Sequence, residues 1–384
     1  MKIGIDASRA FLKDRTGIEE YSYQVIKNLA KIEGEQARLA STSGHLRESR
    51  RVVLYLRKNQ EIDFTLPNNW KVKIIKWPRF WTQFGLSLEI FLHPVDALFI
   101  PAHTVPCIHP ARTIVTIHGL EYEFCPEAYS FWERLYMRST IKKSCKWASK
   151  IIAVSENTKK DLIKLYKVPA DKIEVIYEGY ENSNQQPVIS NQKNTEKENS
   201  YELRVTSYGS YLLFIGRLEE RKNIVGIIKS FEVLKERYKI PHKLVLAGKP
   251  GFGYEKIKNE IANVNCVKDI IETGFVSAEE KNYLLNNAAV FVFPTLYEGF
   301  GLPILEAQNA GVPVVASIEA SIPEVAGDSA LLVDSNNAEE IADAVYKIIS
   351  DKNLKKDLVR KGLENIQRFS WEKCGKEIAD ILKK

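Results

Sequence analysis

The sequence predicts an α/β protein of two domains, each with a mostly parallel sheet covered by helices on both faces. Three observations carry this reading. The chain has 384 residues, too long for one ordinary core and suited to two domains of about 150–200 residues. Two series of short apolar runs alternate with helical stretches, the pattern of parallel strands joined by crossover helices. Between the two series the residues from Glu181 to Ser200 read ENSNQQPVISNQKNTEKENS, too poor in apolar side chains to offset the entropy of ordering.

The first series opens with a strand from Lys2 to Ala7 and a loop ending in Thr16-Gly17-Ile18-Glu19. Tyr21, Val25, Ile26 and Leu29 then keep a 3.6-residue period, which predicts a helix. Residues 34–51 (GEQARLASTSGHLRESRR) are polar and are expected to form a long surface loop. Further strands are expected at Val52–Leu56, Val72–Ile75, Ala97–Ile100, Thr113–Ile117 and Ile151–Val154. The second series comprises Tyr211–Ile215, Lys243–Ala247, Ile270–Thr273, Val290–Pro294, Val312–Ala316 and Ala330–Val333. The expected organisation is therefore a first domain over 1–180, a flexible linker over 181–206, a second domain over 207–365 and a closing segment over 366–384. Two such domains imply a cleft between them, where ligands commonly bind.

Composition narrows the class. Hydrophobic residues make up 45% and charged residues 27%, a globular balance that excludes a disordered chain. No apolar run approaches the ~18 residues of a membrane-spanning helix. Asp6 interrupts the stretch where a signal peptide would be apolar, so a cytoplasmic location is expected. The five cysteines (Cys107, Cys125, Cys145, Cys266 and Cys374) are scattered and include no Cys-x-x-Cys pair, which fits free thiols and no zinc site. Residues 1–180 carry 28 Lys+Arg against 20 Asp+Glu, whereas the remainder carries 27 against 29. The basic half calls for an anionic partner. Nucleic acid lacks any supporting motif, which leaves an anionic membrane surface or a phosphorylated acceptor.

Two segments sharpen that choice. Residues 70–84 interleave Lys71, Lys73, Lys76 and Arg79 with Trp70, Trp77, Phe80, Trp81 and Phe84, and residues 138–150 add Arg138, Lys142, Lys143, Lys146 and Lys150. Cations among amphipathic aromatics suit peripheral contact with lipid headgroups. The competing expectation is that Val72, Ile74 and the aromatics are core and the lysines merely solvated.

The chemistry gathers in the second series. Glu298-Gly299-Phe300-Gly301-Leu302-Pro303 follows an apolar strand, with Pro303 at a helix start and Gly311 just past its end. The amides of Phe300, Gly301 and Leu302 then stand at a helix N-terminus, which favours an anion. Glu306 follows Glu298 after seven intervening residues. Alone, either glutamate reads as a surface acid; in this setting both read as site residues. A glycosidase pair is disfavoured, because a largely helical offset of eight residues separates the backbones by ~12 Å, against carboxyl separations of ~5–9.5 Å in such hydrolases. A second apolar strand ends at Gly216, and Arg217 and Lys222 follow. An arginine fork and a mobile ammonium can together neutralise a diphosphate.

These residues resemble a family. IGRLEERKN, EGFGLPILEA and GVPVVAS are similar to the retaining glycosyltransferases of family 4, whose GT-B fold sets two Rossmann-like domains facing each other across an interdomain cleft. The resemblance is strongest over residues 210–335. It implies that Arg217 and Lys222 hold the donor diphosphate, and that Glu298 with Gly299, Phe300, Gly301 and Leu302 holds the transferred sugar. Glu306 would bind the ribose, and Gly274 and Val276 would lie beside the base. In the first domain it assigns His118 to the transferred sugar and Gly17 to the loop approaching donor and acceptor. Gly119 stands where the family has Asp, and Glu178-Gly179 where Asn-Gly is commoner. The final helix is implied to pack back on the first domain.

The reaction implied is metal-independent transfer of a hexose, with mannose from GDP-mannose preferred over a UDP-hexose, to a glycan or lipid-linked acceptor. No cofactor is implied beyond the nucleotide-sugar donor itself. No Asp-x-Asp triplet exists to hold a metal, and the paired cations stand in its place. Two rivals share the architecture: a non-hydrolysing UDP-sugar epimerase and a non-catalytic nucleotide-sugar-binding subunit.

Overall fold

The computed structural model describes residues 1–13, 15–43, 50–180 and 205–383, without the side chains of 37–43. Most of the expected linker, residues 181–204, lies outside the described residues. The chain divides into two compact units. The first comprises Met1–Leu120, Phe131–Gly179 and Phe369–Lys384; the second comprises Glu121–Ser130 and Tyr180–Arg368.

The first unit holds a seven-stranded parallel sheet in the order β3-β2-β1-β4-β5-β6-β7. Its strands are β1 (Lys2–Asp6), β2 (Arg51–Arg57), β3 (Trp70–Ile75), β4 (Ala97–Ile100), β5 (Arg112–Ile117), β6 (Lys150–Ala153) and β7 (Ile173–Val175). The central strands β4 and β5 are almost wholly buried, as near-continuous apolar runs in a parallel sheet must be. Strand β7 was not expected: three residues are too few for a periodic signal. The covering helices are α1 (Gly17–Ser43), α2 (Ser87–Leu92), α3 (Glu121–Phe124), α4 (Phe131–Trp147) and α5 (Glu156–Tyr166), of which α3 belongs to the second unit.

One expectation is overturned here. Residues 34–43 are not loop but the last turns of α1. The segment is polar yet rich in Glu, Gln, Arg, Leu and Ala, all good helix formers. Its start is also held, since Glu33 accepts hydrogen bonds from Trp70 Nε1 at 2.9 Å and Asn69 at 3.0 Å. The final helix, Trp371–Lys383, packs on α1 so closely that a Cβ on Gly375 would lie 2.8 Å from Asn28.

The second unit holds a six-stranded parallel sheet in the order β10-β9-β8-β11-β12-β13. The strands are β8 (Tyr211–Ile215), β9 (Lys243–Ala247), β10 (Ile270–Gly274), β11 (Val290–Phe293), β12 (Val314–Ser317) and β13 (Ala330–Val333). Around it stand α6 (Ile224–Arg237), α7 (Tyr254–Asn263), α8 (Ala278–Asn287), α9 (Leu302–Asn309), α10 (Ile322–Ala326), α11 (Ala338–Ser350) and α12 (Lys352–Asn365). Helix α8 starts with a reciprocal capping box between Ser277 and Glu280. Phe214, Phe231, Phe291 and Phe293 are fully buried in its core, each contributing on the order of 1.5–3 kcal/mol.

Each sheet reverses its strand order once, between β1 and β4 in the first unit and between β8 and β11 in the second. At such a reversal the loops leave in opposite directions and open a crevice at the carboxyl ends of the strands. The chemistry-bearing segments follow these strands: Gly216–Lys222 follows β8 and Pro294–Leu302 follows β11.

Candidate active site

The two loops at the β8/β11 reversal are tied together by backbone and side chain. Asn223 donates from its amide to the Pro294 carbonyl at 3.0 Å and the Ser335 carbonyl at 2.6 Å, and the Leu296 amide donates to the Arg221 carbonyl at 3.0 Å. This brings Lys222 onto Glu298, ammonium against Oε1, with both side chains 11% exposed. Arg221 joins them: Nη1 lies 3.4 Å from the same Glu298 oxygen and donates to the Tyr297 carbonyl at 3.1 Å, while Nη2 donates to Glu219 at 2.8 Å.

The electrostatics follow from two cations sharing one buried carboxylate. Burial alone would push Glu298 up, yet Lys222 and Arg221 outweigh it and hold the carboxyl below its ordinary value. Lys222 is pushed down, because burial costs its ammonium more than Glu298 returns. Arg221 is pushed up: burial opposes its charge, but Glu298, Glu121 and Glu219 more than compensate. Glu298 is thus a firmly ionised carboxylate.

The turn after Glu298 is shaped by Ser321. Its buried hydroxyl lies 2.9 Å from the Glu298 carbonyl oxygen and 2.7 Å from that of Phe300, sharing one hydrogen between them. Since a trans peptide points its C=O and the next N–H in opposite directions, the amides of Gly299 and Gly301 point away from Ser321. Gly301 is the N-cap of α9 with φ 123°, a conformation favouring glycine, and Pro303 sits in the first turn. Helix α9 begins only at Leu302, so the eight-residue offset between Glu298 and Glu306 is half turn and half helix. The ~12 Å spacing expected from a helical offset therefore does not apply. The two acids have separate partners, with Glu306 meeting Lys281 of α8 at 2.7 Å.

Arg217 stands apart from this cluster as an exposed side chain on the loop after β8. The loop after β9 braces it. Leu218 donates to the Lys249 carbonyl at 3.0 Å, Gly251 donates to the Leu218 carbonyl at 2.9 Å, and a Cβ on Gly251 would press on Arg217 Cγ at 2.8 Å. Behind them Gly248 must be glycine, because its Cβ would lie 1.8 Å from the Gly216 carbonyl oxygen. Gly274 ends β10 with φ 71° and accepts from the Gly248 amide at 2.9 Å; Val276 is half-buried against the unit's core.

Residues 179–365 match the family of glycosyl transferases group 1, and residues 15–183 match Glycosyltransferase Family 4. O-antigen chain mannosyltransferase B of Escherichia coli is 31% identical over 270 residues, 68% of each chain. The chain belongs to glycosyltransferase family 4. It is a glycosyltransferase.

Solved structures agree on the fold of this family 4 glycosyltransferase. Sucrose-phosphate synthase from Thermosynechococcus elongatus superposes with a TM-score of 0.72 at 17% identity, covering 100% of this chain and 98% of that one. The Anabaena protein HepE, in complex with UDP and glucose, superposes with a TM-score of 0.68 at 16% identity, covering 100% and 99%. Two parallel-sheet Rossmann-like units are the components of the GT-B fold.

The remaining expected site residues of the glycosyltransferase lie in the first unit. Gly17 is exposed at the start of α1, and a Cβ there would meet no described atom within 4 Å. Nothing in the described residues thus requires glycine at 17. His118, at the end of β5, is buried with both ring nitrogens engaged: Nε2 is 2.8 Å from the Pro101 carbonyl and Nδ1 is 3.1 Å from Glu178.

Several functional candidates escaped the sequence reading. Arg221 was passed over as one charge among several in LEERKN, although its place next to Lys222 was a usable signal. Lys281 and Ser321 gave no local signal, since each acts on a residue 23 to 25 positions away; Glu178 stood out as a departure from the family pattern, but its partner lies 60 positions away. The glycines of GKPGFG were visible, but nothing local tied them to Arg217.

Proposed function

We propose that this glycosyltransferase moves a mannosyl group from GDP-mannose, with retention of configuration and without a metal ion, to a glycan or lipid-linked acceptor. The observation that carries the reading is the cluster at the β8/β11 reversal. Lys222 and Arg221 meet Glu298 close to a helix start, with the exposed Arg217 on the same loop, where a departing nucleoside diphosphate would gather negative charge. Glu298 and Glu219 face Lys222 and Arg221, so the positive charge left for the diphosphate is that of Arg217. In this reading Arg217 and Lys222 hold the diphosphate. Glu298 with the amides of Phe300, Gly301 and Leu302 orients the sugar, Glu306 takes the ribose, and Gly274 and Val276 flank the base.

The mannosyl choice has its support in the E. coli relative, whose name assigns it mannosyl transfer. HepE, with UDP and glucose, supports a UDP-hexose as the second reading. A panel of nucleotide sugars scored by thermal shift decides between them: donor at ~100 times its dissociation constant adds ~2.7 kcal/mol. GDP-mannose should give the largest shift, and a larger shift with a UDP-hexose would replace it. Activity should survive EDTA; loss restored by magnesium or manganese would overturn the metal-independent mechanism. The anomeric configuration of the product, read by NMR, tests retention.

A peripheral position on an anionic membrane is part of the proposal. Trp70 and Trp81 are core residues, but Phe80, Phe84, Leu88, Phe91 and Leu92 are exposed, and the last four recur at helical spacing across the π-turn 81–86 and α2. The opposite face, with Trp81, Leu86 and Ile90, is buried. A short surface helix apolar on both faces, preceded by Lys76 and Arg79 and with Lys73 pairing with its Glu89 at 3.1 Å, suits a lipid headgroup region. No helix among the described residues is long and apolar enough to cross a membrane.

A further inference from the structure

The first unit buries a pair of titratable side chains that the sugar-transfer scheme leaves unexplained. His118 offers two ring nitrogens, and each meets an acceptor: the Pro101 carbonyl at 2.8 Å from Nε2 and Glu178 Oε1 at 3.1 Å from Nδ1. A carbonyl only accepts, so Nε2 carries a proton. Glu178 is 4% exposed, and among the described residues its ion-pair partner is His118. A carboxylate so far from water is strongly disfavoured unless a positive charge or a proton stands against it.

Among the described residues no second cation forms an ion pair with Glu178. The Tyr21 ring stands edge-on to His118 at 4.5 Å, and its hydroxyl hydrogen-bonds Thr116 at 3.2 Å. Burial keeps both Tyr21 and the nearby Cys374 thiol neutral, pushing each well up. His103, 5.3 Å from His118 between ring centroids, is held neutral by burial first, then by His118 and Arg9. The backbone beside the pair is also closely packed. A Cβ on Gly179 would lie 2.1 Å from the Trp371 amide nitrogen, so the backbone just after Glu178 is pressed onto the last helix. Gly119, next to His118 with φ 156°, has no side chain to supply an acid of its own.

We infer that Glu178 and His118 form a carboxylate–imidazolium pair, and that Glu178 is a positioning residue holding His118 as a cation and not a base. The consequence rests on the sugar-transfer reading. With neither ring nitrogen holding a free lone pair, His118 takes no proton from the acceptor. As the bond from the anomeric carbon to the phosphate oxygen breaks and the bond to the acceptor oxygen forms, the acceptor proton passes to the departing diphosphate. The His118 charge stays constant throughout.

The test uses the full chain labelled with ¹⁵N-histidine, with His118 assigned by the signal lost in His118→Phe. At pH 7 the wild-type His118 should show both ring nitrogens protonated, and Glu178→Gln should show one. A bare Nδ1 in the wild type overturns the pair. With GDP-mannose as probe, Glu178→Gln should lower kcat by about 10²-fold, as for one lost preorganised electrostatic group, with KM unchanged. Glu178→Asp should recover part of both signatures. Unchanged kcat in Glu178→Gln overturns the positioning role even if the pair is seen. Should Glu178→Gln fail to fold, the wild-type spectrum and Glu178→Asp decide. Should the wild type neither bind nor turn over any nucleotide sugar, the transfer reading fails, while the spectrum still decides the pair.

Discussion

Lys222 and Glu298, 76 residues apart in sequence, bury their opposite charges against each other, with Arg221 as a second cation on the same oxygen. Buried pairs of this kind are costly to break from one side, because the remaining charge is left without compensation. Losing Glu298 strands Lys222, whereas Arg221 keeps Glu219. The cluster is therefore both a structural joint between the loops after β8 and β11 and the candidate donor site.

Glu298→Ala should destabilise the second unit by about 3–5 kcal/mol, more than Lys222→Ala, which leaves Arg221 to face the carboxylate. Glu298→Gln keeps a hydrogen-bond acceptor and should depress turnover more than donor affinity. Denaturant titration and steady-state kinetics check both. Equal, near-wild-type behaviour of all three variants would remove Glu298 from the site. The acid side follows from the depressed Glu298 value. Its contribution is present above the ordinary 4.5 and is lost as pH falls through the lower folded value, a decline that Glu298→Gln should flatten.

Arg217 and Arg221 should separate. Arg221 is buried among Glu219, Glu298 and the Tyr297 carbonyl, so Arg221→Ala should lower both stability and rate. Arg217 is exposed, so Arg217→Ala should leave stability within about 0.5 kcal/mol while cutting the rate by ~10²-fold. A thermal melt beside a kinetic assay reads the difference, and full activity in Arg217→Ala would count against a diphosphate role.

His103 should give the first unit a pH dependence. Burial, with the charges of His118 and Arg9, holds its folded value well below the ordinary 6.5. The unfolded chain takes up a proton there before the folded chain does. Stability from His103 is thus fully present above about 6.5 and is lost as pH falls below it. His103→Phe should flatten the melting temperature between pH 7 and 5; an identical slope in the variant would refute the assignment.

Membrane binding should have two separable parts. Purified protein should sediment with anionic liposomes at low salt and release at high salt, as screening shortens the electrostatic reach. Replacing Lys142, Lys143 and Lys146 with Glu should remove the salt-sensitive part. Replacing Phe84 and Phe91 with Ser should weaken binding at every salt concentration, because both are exposed apolar side chains. Wild-type protein that ignores anionic liposomes at low salt would point to a soluble acceptor.

The sequence by itself determined the two sheets, because apolar runs in parallel strands are local and continuous. Tyr211–Ile215, Lys243–Ala247 and Ala97–Ile100 are strands with the bounds their residues predict. Glu298, Lys222 and Glu306 were legible for a related reason: glycine, proline and charge next to a strand end form a pattern within a dozen residues. Helix α1 was underestimated because polar helix formers look like loop when no apolar stripe marks them. Only the tertiary structure decided which charges meet. Lys222 and Arg221 find Glu298 because β8 and β11 are neighbours in the sheet. His118 finds Glu178 because β5, β6 and β7 align their carboxyl ends side by side. Strand order is a long-range property, and no spacing along the chain encodes it.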